Sequence, residues 1–182
     1  MAQAGAAKPP SCPNLSDAQI RVAVGVKPAS LAVSTLGSGT IATGGGNELT
    51  CQWVLGTEPS ITLKVYKGSA ALSELVKQIS SVEGINNGSA NANLAPPTVE
   101  CSPKFAGYCQ GPKFDEHLSP VAGIGEKAYD DPGGPADGAN VEFAWKGNTY
   151  ALRSSGPYGV PGPDLAKVLA FARLIVRSGY TP

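Results

Sequence analysis

Val141-Glu142-Phe143-Ala144-Trp145-Lys146-Gly147-Asn148-Thr149-Tyr150-Ala151-Leu152-Arg153-Ser154 is the stretch that decides the fold. Val141, Phe143 and Trp145 alternate with Glu142, Ala144 and Lys146, and a period of two puts the apolar set on one face of a strand. Lys146-Gly147-Asn148 turns the chain and Thr149–Ser154 returns, which predicts a hairpin. Upstream, Thr50–Leu55 and Ile61–Tyr66 are rich in β-branched and aromatic residues and flank Gly-Thr-Glu-Pro-Ser, a second hairpin. Two hairpins exclude an all-parallel sheet.

The helices announce themselves by caps and stripes. Ser16 and Gln19 have the spacing of a capping box, with Leu15 and Ile20 placed as a hydrophobic staple and Gly25 as a stop. Over Ala70–Val82, Leu72, Leu75, Val76, Ile79 and Val82 form one apolar stripe, ended by Gly84. A last helix starts near Asp164, whose carboxylate suits a helix amino end. Its stripe is Leu165, Val168, Leu169, Ala172, Ile175 and Val176. Such stripes need a sheet face to bury. The expected fold class is therefore α+β: a single antiparallel sheet with its inner face covered by amphipathic helices. Pro28–Asn47 carries no charge and reads as a loop with a short strand at Leu31–Thr35.

Composition sets the outer limits. The 182 residues carry 14 Lys+Arg and 14 Asp+Glu, a formal net charge of zero. That balance excludes a basic nucleic-acid binder and an acidic tail protein. Gly and Pro, at 23 and 16, make up a fifth of the chain and imply long irregular connections. No apolar run approaches the ~18 residues of a membrane span. Residues 1–10 read as a flexible lead without an apolar signal core, so any export signal is expected to lie outside this chain. Residues 11–182 read as one disulfide-stabilised domain with an irregular excursion at 85–119.

Four cysteines, Cys12, Cys51, Cys101 and Cys109, allow three pairings. The short Cys101–Cys109 loop closes easily, which would leave Cys12–Cys51 as a long clasp. No Cys/His cluster has zinc spacing, and disulfides point to an oxidising, extracytoplasmic compartment. His117, the single histidine, sits beside Asp115 and Glu116, and no Gly-x-Ser-x-Gly elbow accompanies it. Gly123-Ile-Gly125-Glu-Lys-Ala128 has the letters of a dinucleotide fingerprint. A helix must begin within that fingerprint. Here Ala128-Tyr129 runs into Asp-Asp-Pro-Gly-Gly-Pro, so the glycines read as a turn between short strands. Asp130, Asp131 and Asp137 fail the EF-hand spacing. Phe105, Tyr108 and Tyr158 are aromatics on irregular segments and, with His117, are the expected binding residues.

The order of these features resembles a group of actinobacterial cell-envelope lipoproteins of unknown function. It is Cys12 before a short helix, Cys51-Gln-Trp53 opening a strand, a helix, Val121–Tyr129, a hairpin and a closing amphipathic helix. The chain also looks broadly similar to PsbP-like α/β sandwich domains. The resemblance runs from Cys12 to about Ser178. It implies that Cys12 and Cys51 are bonded, that Trp53 is a core residue and that the glycine motif is a structural turn. The lipid-modified cysteine of that group is absent from this chain, and the Cys101–Cys109 loop looks like an insertion. No catalytic residue carries over.

The expected function is a non-enzymatic extracytoplasmic binding or interaction domain, secreted or envelope-associated. Its partner would be a small ligand or an envelope protein, with no cofactor, metal, nucleic acid or transmembrane segment. The alternatives are a hydrolase or transferase with its site near His117, and a carrier of apolar ligands.

Overall fold

A computed structural model describes residues 10–35, 46–57, 59–76, 118–131, 138–157 and 162–182. Its elements in chain order are α1 (Asp17–Val24), β1 (Pro28–Thr35), β2 (Leu49–Leu55) and β3 (Ser60–Lys67). A helix α2 follows, described over residues 70–76. Then come β4 (Ser119–Pro120), β5 (Lys127–Asp131), β6 (Asn140–Trp145), β7 (Asn148–Ser155) and α3 (Leu165–Arg177). The strands form one seven-stranded sheet in the order β1-β2-β3-β7-β6-β5-β4. Every neighbouring pair is antiparallel. The fold is α+β with a single antiparallel sheet.

Both hairpins lie at its centre, joined where β3 pairs with β7 from Ser60↔Ser155 to Lys67↔Asn148. In the β6–β7 hairpin, Trp145 pairs with Asn148 across a two-residue loop. Lys146 and Gly147 have φ of 47° and 75°. Positive φ at both central residues matches the right-handed twist of the flanking strands, and the glycine takes it without steric cost.

Cys51, Leu63, Leu152 and Val141 occupy paired positions across four strands, and each is fully buried. Over this face lie α1 and α3. Val168, Phe171, Ala172 and Ile175 of α3 are also fully buried. Phe171 meets Trp53 edge-on, 5.0 Å between centroids, so Trp53 is a core residue. The Ser16–Gln19 capping box forms: Gln19 N donates to Ser16 Oγ at 3.3 Å, and Ser16 N donates to Gln19 Oε1 at 2.8 Å. Cys12 and Cys51 are bonded, Cα atoms 5.9 Å apart, which ties the segment before α1 to β2. Tyr180 Oη donates to Ser11 O at 2.7 Å and fastens the same segment to the chain after α3. Burial, then the neighbouring Tyr150, raises the pKa of the Tyr180 phenol, so it stays a donor.

Asp164 caps α3 by accepting from Lys167 N at 3.0 Å. Hydrogen bonding from the Lys167 side chain, then from its backbone, holds the carboxyl below the usual aspartate range. A depressed folded pKa makes this stabilisation complete above the ordinary aspartate pKa, and it is lost as pH falls through the folded value. Asp164→Ala is expected to cost about 1 kcal/mol at neutral pH. Urea unfolding repeated below the folded pKa should show the two proteins converging; an undiminished gap there would sink the charged-cap account.

Three features depart from expectation. The strand expected at Leu31–Thr35 forms but begins earlier, at Pro28, because Ser30 also pairs with Val54 and, across a register shift, Pro28 with Leu55. Ser119, expected inside the irregular excursion, pairs with Asp130 in the sheet. The helices also divide between the two faces. Neighbouring strand residues point opposite ways. Val65 joins the core under α1 and α3, whereas Tyr66 packs with Ala71 and Leu75 of α2 and with Ala151. Of the predicted 70–82 helix, residues 77–82 lie outside the described residues.

Candidate functional site

The face that carries α2 is the polar one. Gln52 Nε2 donates to Ser60 Oγ at 3.2 Å, and Ser60 Oγ lies 2.8 Å from Ser155 Oγ. Thr149 Oγ1 donates to Gly68 O at 2.8 Å, fixing the entry to α2. Glu142 is buried at 5% exposure, one strand over from Ala151. Burial, then the Glu142 charge, raises the pKa of the Tyr66 phenol and keeps it neutral.

Beside this polar patch α2 leaves a cleft. Ala71 and Leu75 point at Tyr66 and Ala151, whereas Leu72 and Val76, four residues apart on the next flank, face β5 and β6. The opening has a volume of about 430 Å³ and is lined by Ser69, Leu72, Ser73, Val76, Glu126, Lys127, Tyr129 and Ala144. Ala144 pairs with Lys127. Its short side chain leaves room that a larger one would take. Lys127 and Tyr129 share that face of β5, and Lys127 Nζ lies 5.3 Å from the Tyr129 ring centroid, within cation–π range.

The β5 wall is held from behind. Glu126 N donates to Ala144 O at 2.8 Å, and Glu126 Oε1 accepts from Lys146 N at 3.1 Å. Gly123 and Gly125 have φ of 76° and 56° in the turn between β4 and β5. A Cβ on Gly125 would collide with the Ala144 carbonyl oxygen. The Gly-x-Gly motif thus shapes a turn that brings the start of β5 against the backbone of β6.

Chemically the cleft offers an apolar wall from Leu72, Val76 and Ala144, an aromatic ring, two hydroxyls and a cation. Glu126 also lines the opening while accepting from Lys146 N, so the cleft carries one cation, Lys127, and one carboxylate. Among the described residues, no group of three or more His, Cys, Asp and Glu could hold a metal ion. None of their helices is long and apolar enough to cross a membrane. The binding residues expected from the loops, Phe105, Tyr108, His117 and Tyr158, lie outside the described residues, as do Cys101, Cys109 and Asp137. Sequence reasoning alone does not single out Lys127 and Tyr129 as site residues. Their signal was the alternation of Lys127, Ala128 and Tyr129 after the glycine turn, with only Ala128 buried.

No protein family, curated protein or solved structure matches the chain.

Proposed function

We propose that this chain is a non-enzymatic binding domain working outside the cytoplasm, and that it holds a small ligand in the cleft between α2 and the β5–β6 edge. The cleft carries this reading. Its volume of about 430 Å³ falls in the range of small-molecule sites, which pair mostly apolar walls with a few placed polar groups. Leu72, Val76, Ala144 and the Tyr129 ring would take an apolar or aromatic body. Ser69, Ser73, Lys127 and Glu126 would orient a polar end, an anionic group meeting Lys127. The Cys12–Cys51 bond supports an oxidising setting, and the resemblance to envelope lipoproteins agrees with it.

The test is native mass spectrometry of the gently purified protein, followed by titration with any released compound. Tyr129→Ala is expected to weaken binding roughly tenfold or more, the loss of about 1.5 kcal/mol of aromatic contact. Lys127→Glu should weaken anionic ligands and spare neutral ones. Both side chains are at least partly exposed, so thermal stability should change little. Binding unchanged in both variants would remove the cleft from consideration, and loss with His117→Ala alone would move the site to the alternative enzyme reading.

A further inference from the structure

We infer that β1 is the docking edge for β1 of a second copy of this chain, the two strands pairing antiparallel about a two-fold axis at Ala32. Among the described residues β1 ends the sheet, with no strand beyond it. Natural sheets blunt such edges with short strands, proline or charge. The opposite edge follows that rule, because β4 is the two-residue Ser119–Pro120. The β1 edge does not. Its register shift lies between Pro28 and Ser30, and the regular part, Ser30-Leu31-Ala32-Val33-Ser34-Thr35, has neither a charge nor a proline.

Leu31 and Val33 sit opposite Trp53 and Cys51, on the core side of the sheet. Those partners are buried, yet Leu31 and Val33 are 45% and 54% exposed. The other exposed large hydrophobics among the described residues are Val22 and Val26, on α1 and on the connection from α1 into β1. The exposed large hydrophobics among the described residues thus all come from α1, the connection after it and β1, and exposed apolar side chains are a mark of an interaction site where they adjoin.

The order of side chains selects the occupant. An isologous interface must be complementary to itself: if residue i meets j, then j meets i. Ser30-Leu31-Ala32-Val33-Ser34 reads alike in both directions by size and polarity. Antiparallel pairing centred on Ala32 sets Ser30 opposite Ser34, Leu31 opposite Val33, and Ala32 opposite its own counterpart. Either hydrogen-bonding phase of β1 serves, since a two-fold axis can pass through either kind of antiparallel pair. The apolar pair occurs twice, no like charges meet, and the sheet continues unbroken from one copy to the other.

One strand from each copy makes a small interface, so the association is weak, with a Kd of roughly 10–100 μM. Sedimentation velocity across that range should show concentration-dependent dimers. Leu31→Lys/Val33→Lys places like charges opposite each other at both apolar pairs and should weaken association at least about tenfold. Leu31→Lys/Val33→Glu carries as many charges but sets opposite signs across the axis, and should restore most of it. Both positions are exposed, so all variants should melt alike. A wild type that stays monomeric at millimolar concentration overturns the proposal. So do dimers indifferent to the lysines, or dimers lost equally in both double variants.

Discussion

Cys12→Ala/Cys51→Ala is expected to lower the unfolding free energy by about 4 kcal/mol, read as a fall in the urea midpoint. The bond closes a loop with a sequence separation of 39 residues. The chain-entropy relation for a loop of that length gives this magnitude, as an upper estimate. Alanine suits the test because Cys51 is fully buried and a serine there would bury a hydroxyl as well. Beyond this global loss, local opening should become easiest at the amino-terminal corner, where α1 rests on α3 and Tyr180 holds Ser11. Without the clasp, amide exchange should quicken first over Ile20–Val24, ahead of the β3–β7 centre. The denaturant slope should rise, because the unfolded chain without the bond exposes more surface. A loss below about 1 kcal/mol, with α1 exchanging as before, would mean that packing alone holds this corner. A reducing cytosol would remove the stability that such a clasp supplies.

How far the chain could be read depended on whether a signal was local. The alternation in Val141–Trp145, the Ser16–Gln19 box and the apolar stripe of Leu165–Val176 each lie within one element, and each element formed where expected. Pro28–Ser30 lacks a periodic signal, and the alternation of Leu31 and Val33 is short. A short strand is expected only at Leu31–Thr35, and it extends back to Pro28 because β2 offers a ladder, a tertiary effect that outweighs propensity. The α2 stripe was legible as a stripe but not as two contacts: Leu75 goes to Tyr66, and Leu72 with Val76 to the cleft. The site itself joins Leu72 to Lys127 and Tyr129 from distant parts of the chain, through a sheet order that places β7 and β6 between β3 and β5. No linear spacing encodes that neighbourhood. The loop aromatics, chosen because exposed rings on loops often bind, fall outside the described residues.

The glycine turn allows a sharper test, because two glycines of like conformation stand in unlike surroundings. Gly123 and Gly125 both have positive φ, 76° and 56°. Alanine in that region costs roughly 1–2 kcal/mol for the backbone alone. A Cβ on Gly123 meets nothing within 4 Å, so Gly123→Ala should cost only that. On Gly125 it runs into the Ala144 carbonyl, with a Phe143 ring carbon 3.4 Å away. Neither neighbour can yield easily. Ala144 O already accepts from Glu126 N, and Phe143 is stacked on Tyr150 at 5.0 Å. Overpacking of this kind adds about 1–3 kcal/mol, so Gly125→Ala should lose roughly 2–5 kcal/mol in all. At about 2–4 °C per kcal/mol for a chain of this size, its melting point should fall further than that of Gly123→Ala by several degrees. Equal falls would refute the close approach of β5 to β6. The displacement should also reach the cleft, because Lys127 and Tyr129 follow within four residues on the strand that Gly125 positions. Ligand affinity is therefore expected to drop in Gly125→Ala even where the domain remains folded, and to persist in Gly123→Ala.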